Sequence, residues 1–196
     1  MIPALLWITP PDGPFDFMGD ILKRSLDDLS SLAVLYRRPG ENTRERVRHA
    51  RPLREQCVQR GVRFLTQDLE LALCVGADGV HLPERGVPLS AIRPHVGLLG
   101  ASRHSREGLQ RAFDAGADYC TLSPVFASPG KGPPLGLETF RSLSLGLGPI
   151  LALGGVVDSA SAEAARAHGA AGAATIRGVR SVAELAALLS PFAPSS

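Results

Sequence analysis

Along this chain the hydrophobic positions fall into eight short, nearly continuous apolar runs. Between them lie stretches in which apolar residues recur every three or four positions. An unbroken apolar run is the pattern of a strand buried on both faces, and the wider spacing is that of a helix packed on one side. The pattern predicts strands near 4–9, 32–37, 62–66, 78–82, 97–101, 118–123, 149–153 and 172–176. Helices are expected near 16–29, 42–60, 67–75, 88–94, 105–115, 137–144, 158–168 and 180–189. Asn42 and Thr43 mark the start of the second helix and Asp158 that of the seventh, because their short oxygens accept from the unbonded N–H groups of a first turn.

A repeated junction supports this alternation. GADGVHL at 76–82, GADYCTL at 116–122 and GAAGAAT at 169–175 are three versions of one pattern. Gly76, Gly116 and Gly169 stand where a helix has to stop and the chain turns into a buried strand. Eight strand–helix units favour a closed (β/α)8 TIM barrel over an open doubly wound sheet. The expectation is one α/β domain over residues 1–190 with a short tail at 191–196.

Composition narrows the class. The 196 residues are 44% hydrophobic, enough for a full core, and the formal net charge of +2 gives no support for nucleic-acid binding. The one dense basic cluster, RVRHARPLREQCVQR at 46–60, reads as the solvated face of a helix with Val47, Leu53 and Val58 on the other side. Cys57, Cys74 and Cys120 fit neither a zinc pattern nor a disulfide framework, and Cys74 and Cys120 read as core residues. The start MIPALLWITPP carries no basic leader and no run is long enough to span a membrane, so a cytoplasmic protein is expected.

Two regions carry candidate chemistry. In GADYCTLSPVFASPGKGPPLGL at 116–137 an apolar strand enters a loop holding Ser123, Ser128 and Lys131, stiffened by Pro129, Pro133 and Pro134. A stiff loop loses little entropy on closing over a ligand, so the segment suits an anionic small molecule; it equally suits a Pro-rich connection. The second region is the last quarter, where PILALGGVVDS ends a strand in Gly154-Gly155 and GAAGAATIRGVRS ends the next in Ile176, Arg177 and Gly178. In phosphate-binding barrels the loops after the seventh and eighth strands, with a short helix N-terminus, present backbone N–H groups to the dianion. Glycine at 154 and 155 would keep that approach open, and Arg177 would add a charge-assisted bond; a plain tight turn is the alternative.

GADGVHLP, GASRHS, GADYCTLSPVFASPGKGPPLGLE and PILALGGV occur in the order found in the thiamin phosphate synthase/TenI superfamily, which the chain resembles over about residues 60–180. The resemblance implies a (β/α)8 barrel. Synthases of that family join a pyrimidine diphosphate to a thiazole phosphate, with magnesium holding the diphosphate. TenI-like members bind the thiazole phosphate, and some isomerise its carboxylated tautomer. The resemblance places Gly154, Gly155, Ile176, Lys131, Gly136, Ser102 and His104 in the thiazole-phosphate half of the site, with Ser128 where threonine is frequent, Arg177 in place of a common serine and Gly130 in place of a second threonine. Arg37 survives in the second unit.

The diphosphate half departs from the family. Thr66-Gln67 stands where synthases carry Asn-Asp, and Pro83-Glu84-Arg85-Gly86 where they carry Gly-Gln-x-Asp. Both magnesium carboxylates are thereby lost, so no metal ligand and no cofactor is expected, magnesium entering only if the chain is a divergent synthase using Glu84 or Asp68. The histidine that tautomerases place at the Pro124 position is also missing. His104 is the substitute proton carrier, although a histidine at a strand end is by default structural; His81 reads as a hydrogen-bonded strand residue. The leading expectation is a TenI-like thiamin-biosynthesis barrel that binds a phosphorylated thiazole and acts as a tautomerase. The alternatives are a divergent synthase and a non-catalytic carrier or sensor. Neither nucleic acid nor membrane is an expected partner, and self-assembly is left open.

Overall fold

The computed structural model describes residues 2–25 and 28–193. Its eight strands are β1 (Leu5–Ile8), β2 (Leu32–Tyr36), β3 (Arg63–Thr66), β4 (Gly79–Leu82), β5 (Leu98–Arg103), β6 (Tyr119–Leu122), β7 (Ile150–Leu153) and β8 (Gly172–Thr175). All pair in parallel and in chain order, and the barrel closes where Leu6 of β1 meets Ala174 of β8. The helices are α1 (Asp16–Arg24), α2 (Thr43–Gln59), α3 (Leu69–Val75), α4 (Leu89–Ile92), α5 (Arg106–Asp114), α6 (Leu137–Ser144), α7 (Ser159–Ala167) and α8 (Val182–Leu189). The chain is therefore a single-domain TIM barrel, as the eightfold alternation predicts.

Side-chain alternation along each strand sorts two cores. Leu6, Ile8, Ala33, Leu35, Leu65, Tyr119, Leu151 and Ala174 fill the inside of the barrel. Leu5, Trp7, Val34, Tyr36, Phe64, Leu99 and Cys120 point outward under the helices. Burial on both sides is why the strands read as unbroken apolar runs rather than alternating ones. Several helix starts were also legible. Asn42 and Glu45 form a reciprocal capping box at α2, and Asp158 does the same with Ser161 at α7. Gly76 takes the left-handed conformation that ends α3, with φ 68°, and Gly169 turns the chain toward β8 with φ 92°.

Several expectations need correction. The fourth helix is only Leu89–Ile92 and passes into a 3-10 turn at Arg93–His95, where Pro94 lacks the N–H that a longer helix requires. Val58 is 51% exposed, whereas Val47 and Leu53 pack against the core as expected, joined on that face of α2 by Ala50 and Cys57. Cys74 is exposed on α3, whereas Cys57 and Cys120 are buried, and burial pushes both of those thiols up to about 12. Phe192, inside the expected 191–196 tail, packs into the core through a 3-10 turn at Ser190–Phe192; residues 194–196 lie outside the described residues. The end of the expected first helix, at 25–29, is not helical at Ser25, and 26–27 also lie outside the described residues. Among the described residues, no helix is long and apolar enough to cross a membrane.

Candidate active site at the barrel mouth

The C-terminal ends of the strands surround a cavity of about 250 Å³. Parallel closure brings every strand exit to this one rim, so residues far apart in sequence meet here. Arg37, Ser102, His104, Ser128, Lys131 and Gly154 all line it, together with Ile176. Two side cavities continue from it. One of about 340 Å³ lies over the β7 and β8 exits and holds Ser128, Gly154, Gly155, Ile176 and Arg177. The other, about 210 Å³, lies at the β2 and β3 exits between Arg37, Arg46, Gln67 and Asp68. Gly136 lines none of the three: it precedes α6 and its N–H donates to the Val125 carbonyl at 3.1 Å. Of two larger hollows, the one of about 370 Å³ between α1 and α2 touches the β2 exit only through Arg38, and the one of about 610 Å³ lies at the other end of β7.

The β7–β8 side is built from backbone. Among the described residues, the N–H groups of Gly155, Val156 and Arg177 have no acceptor within the protein, and the Arg177 side chain forms no ion pair or hydrogen bond. Three free amides and a free guanidinium on one 340 Å³ cavity suit an anion. The expected reason for the glycines changes. A Cβ on Gly155 would lie 2.5 Å from Phe126 Cβ, and one on Gly154 would lie 2.8 Å from Pro124 Cα. Both residues also have positive φ, 72° at Gly155 and 92° at Gly154. Glycine is thus needed so that the β6–α6 loop can lie against the β7 exit, where Val125 N–H donates to Leu153 O and Phe126 N–H to Gly154 O, both at 2.9 Å. The short helix expected beside the phosphate is also missing: residues 176–180 are non-helical, and α8 starts only after its Ser181 cap.

The floor of the mouth is a polar chain: His81 is the hydrogen-bonded strand residue expected, but its partners were not legible in the sequence. His81 is buried in β4, with Nδ1 3.0 Å from the Tyr119 hydroxyl and Nε2 2.9 Å from Ser102 Oγ. Thr121 Oγ1 also donates to Ser102 Oγ at 3.3 Å. Burial drives the His81 pKa down to about 3, so the ring is neutral. The space for the pair comes from Gly100, where a Cβ would lie 2.4 Å from both His81 Nδ1 and Tyr119 Cζ. No single motif announces this arrangement; the signal is a glycine in β5 between a histidine strand and a tyrosine strand.

On the rim, His104 is about half exposed and its Nδ1 lies 2.8 Å from the Ser123 carbonyl. A carbonyl only accepts, so Nδ1 carries a proton, and the lone pair of the neutral ring lies on Nε2. Glu84 Oε2 is 3.9 Å from that Nε2. Proton transfer at this corner is chemically feasible.

The donor set at the β2–β3 exits does not fit a magnesium ion. Asp68 already caps α3 through Leu71 N–H at 2.8 Å and pairs with Arg46 at 2.7 Å. Glu41 is taken up by Tyr36, by Arg38 at 3.0 Å and by His49 at 3.0 Å. Gln67 is neutral, and among the described residues Glu84, 3.9 Å from His104, is the carboxylate that lines the central cavity. Magnesium needs near-octahedral oxygen ligation, usually from one or two carboxylates with waters and substrate phosphates, and the carboxylates at these two exits are already engaged.

Comparison with known proteins agrees with this architecture. The protein-family model described as thiamine monophosphate synthase matches residues 18–179. A thiamine-phosphate synthase of Chloroflexus aurantiacus is 34% identical over 141 residues, 68% of this chain and 65% of its own length. A putative thiamine-phosphate synthase of Geobacter sulfurreducens is 38% identical over 126 residues, 60% of this chain and 59% of its own. The chain thus matches just under two thirds of the length of these relatives. Among solved structures, a thiamine phosphate pyrophosphorylase from Pyrococcus furiosus superposes with a TM-score of 0.78 at 25% identity, covering 96% of this chain and 93% of that one. With the family match spanning most of the barrel and its mouth, the chain belongs to the thiamine monophosphate synthase family, within the thiamine phosphate synthase/TenI superfamily.

Proposed function

We propose that this protein works in thiamine biosynthesis by holding a thiazole phosphate at the barrel mouth, its phosphate over the β7 and β8 exits. The observation that carries the reading is the cluster of unbonded amides at Gly155, Val156 and Arg177 beside the unpaired Arg177 guanidinium, in a cavity that opens into the mouth. The relatives' names support coupling that thiazole phosphate to a pyrimidine diphosphate as the reaction. Such coupling expels diphosphate, so negative charge grows on the leaving group; Arg37 and Lys131 line the same cavity and supply positive charge there.

The lost carboxylate positions favour a second reading, proton transfer on a carboxylated thiazole phosphate. His104 would be the base, with its free Nε2 at the rim. One set of measurements separates the two. Formation of thiamin phosphate from both precursors establishes the coupling reaction. Solvent deuterium entering the thiazole in the wild type but not in His104→Ala establishes the isomerase. Thiazole-phosphate binding with neither activity leaves a carrier, and failure to bind thiazole phosphate at all refutes the proposal.

A further inference from the structure

We propose that the β2–β3 side of the mouth binds a diphosphate group directly on arginine, without a divalent cation. The inference deepens the coupling reading by stating how its second substrate is held. Three observations carry it. Each carboxylate lining the 210 Å³ cavity there is already committed: Asp68 to Arg46 and the α3 cap, Glu41 to Tyr36, Arg38 and His49. A metal on Asp68 would compete with a charge pair on one oxygen and a helix cap on the other, beside the Arg46 cation.

Arg37 is the second observation. Its guanidinium is half-buried and, among the described residues, forms no hydrogen bond or ion pair, although it lines both this cavity and the central one. A partly desolvated guanidinium without a partner is costly unless a ligand supplies the anion, and its planar fork suits phosphate oxygens. The third is Arg46, whose Nε is buried with no acceptor, a second unmet donor on the same wall. Lys131 lines the central cavity that Arg37 shares, so a diphosphate lying there has cations from two loops. In this chain positive charge is built into the wall where a metal-dependent site would present negative charge.

The test is calorimetric titration of the full chain with inorganic diphosphate, in EDTA and again in excess magnesium, for the wild type and Arg37→Gln. The expected result is binding in EDTA within about twofold of that in magnesium, weakened roughly tenfold or more by Arg37→Gln under both conditions. Because the Arg37 guanidinium forms no hydrogen bond or ion pair among the described residues, the variant should keep the wild-type melting temperature. Diphosphate that binds only when magnesium is added, that does not bind at all, or that binds Arg37→Gln as tightly as the wild type overturns the inference. Thiazole phosphate titrated into the same two proteins keeps the readings apart: unchanged affinity in Arg37→Gln leaves the β7–β8 site standing whatever diphosphate does.

Discussion

Ser102 Oγ lies 2.9 Å from Nε2 of His81, and the direction of that hydrogen bond is set on the far side of the ring. The Tyr119 hydroxyl, 3.0 Å from Nδ1, is buried and, among the described residues, has no other partner. If Nδ1 carried the proton, the tyrosine proton would be left without an acceptor in the barrel core, which is costly. Tyr119 therefore donates to Nδ1 and Nε2–H donates to Ser102. Ser102 also accepts from Thr121, so its own proton is free for a ligand in the mouth.

Tyr119→Phe removes the group that fixes this tautomer while keeping the ring volume. The expected loss is about 1 kcal/mol of stability, with thiazole-phosphate affinity lowered to the level of Ser102→Ala, because Ser102 can then turn its proton onto the histidine. Urea unfolding and a binding titration check it. Tyr119→Phe with wild-type affinity would show that the tautomer does not matter to the ligand.

Acid should weaken the fold through His81. Its folded pKa of about 3 lies below the ordinary histidine value of 6.5. Between the two the unfolded chain binds more protons, so stability is complete above about pH 6.5 and falls as pH drops toward 3. By pH 4.5 the expected loss from this residue is on the order of 2–3 kcal/mol. Urea unfolding at pH 7 and 4.5 should show a smaller decline for His81→Asn than for the wild type; equal declines would remove His81 as the cause.

Gly155→Ala tests what the glycine is for. Its Cβ would meet Phe126 Cβ at 2.5 Å and Ala127 O at 2.7 Å, so the β6–α6 loop has to lift from the β7 exit. Gly169→Ala is the control, since it too has positive φ, 92°, but its Cβ would meet nothing within 4 Å. Both should lose about 1 kcal/mol or more to backbone strain. Only Gly155→Ala should also weaken thiazole phosphate, by roughly tenfold, a loss of order 1.4 kcal/mol. Equal affinities in the two variants would sever the loop from the site.

The barrel is written in local sequence patterns. Apolar runs mark strands buried on both faces, Asn42 and Asp158 mark helix starts, and Gly76 and Gly169 mark the turns back into strands. These signals act between neighbours in the chain, so they can be read locally. The site arises only when the strands close on one another. His81, Ser102 and Tyr119 are brought together by the β4–β5–β6 register, 21 and 38 residues apart in sequence, in a space only Gly100 leaves open. The same holds for Asp68, whose charge is taken by Arg46 from 22 positions away. Cys74 shows the limit from the other side: it stands in an apolar run, yet α3 turns it outward to solvent. Which face a helix buries, and which charges find partners, depends on the neighbours that packing supplies, and a linear pattern does not contain them.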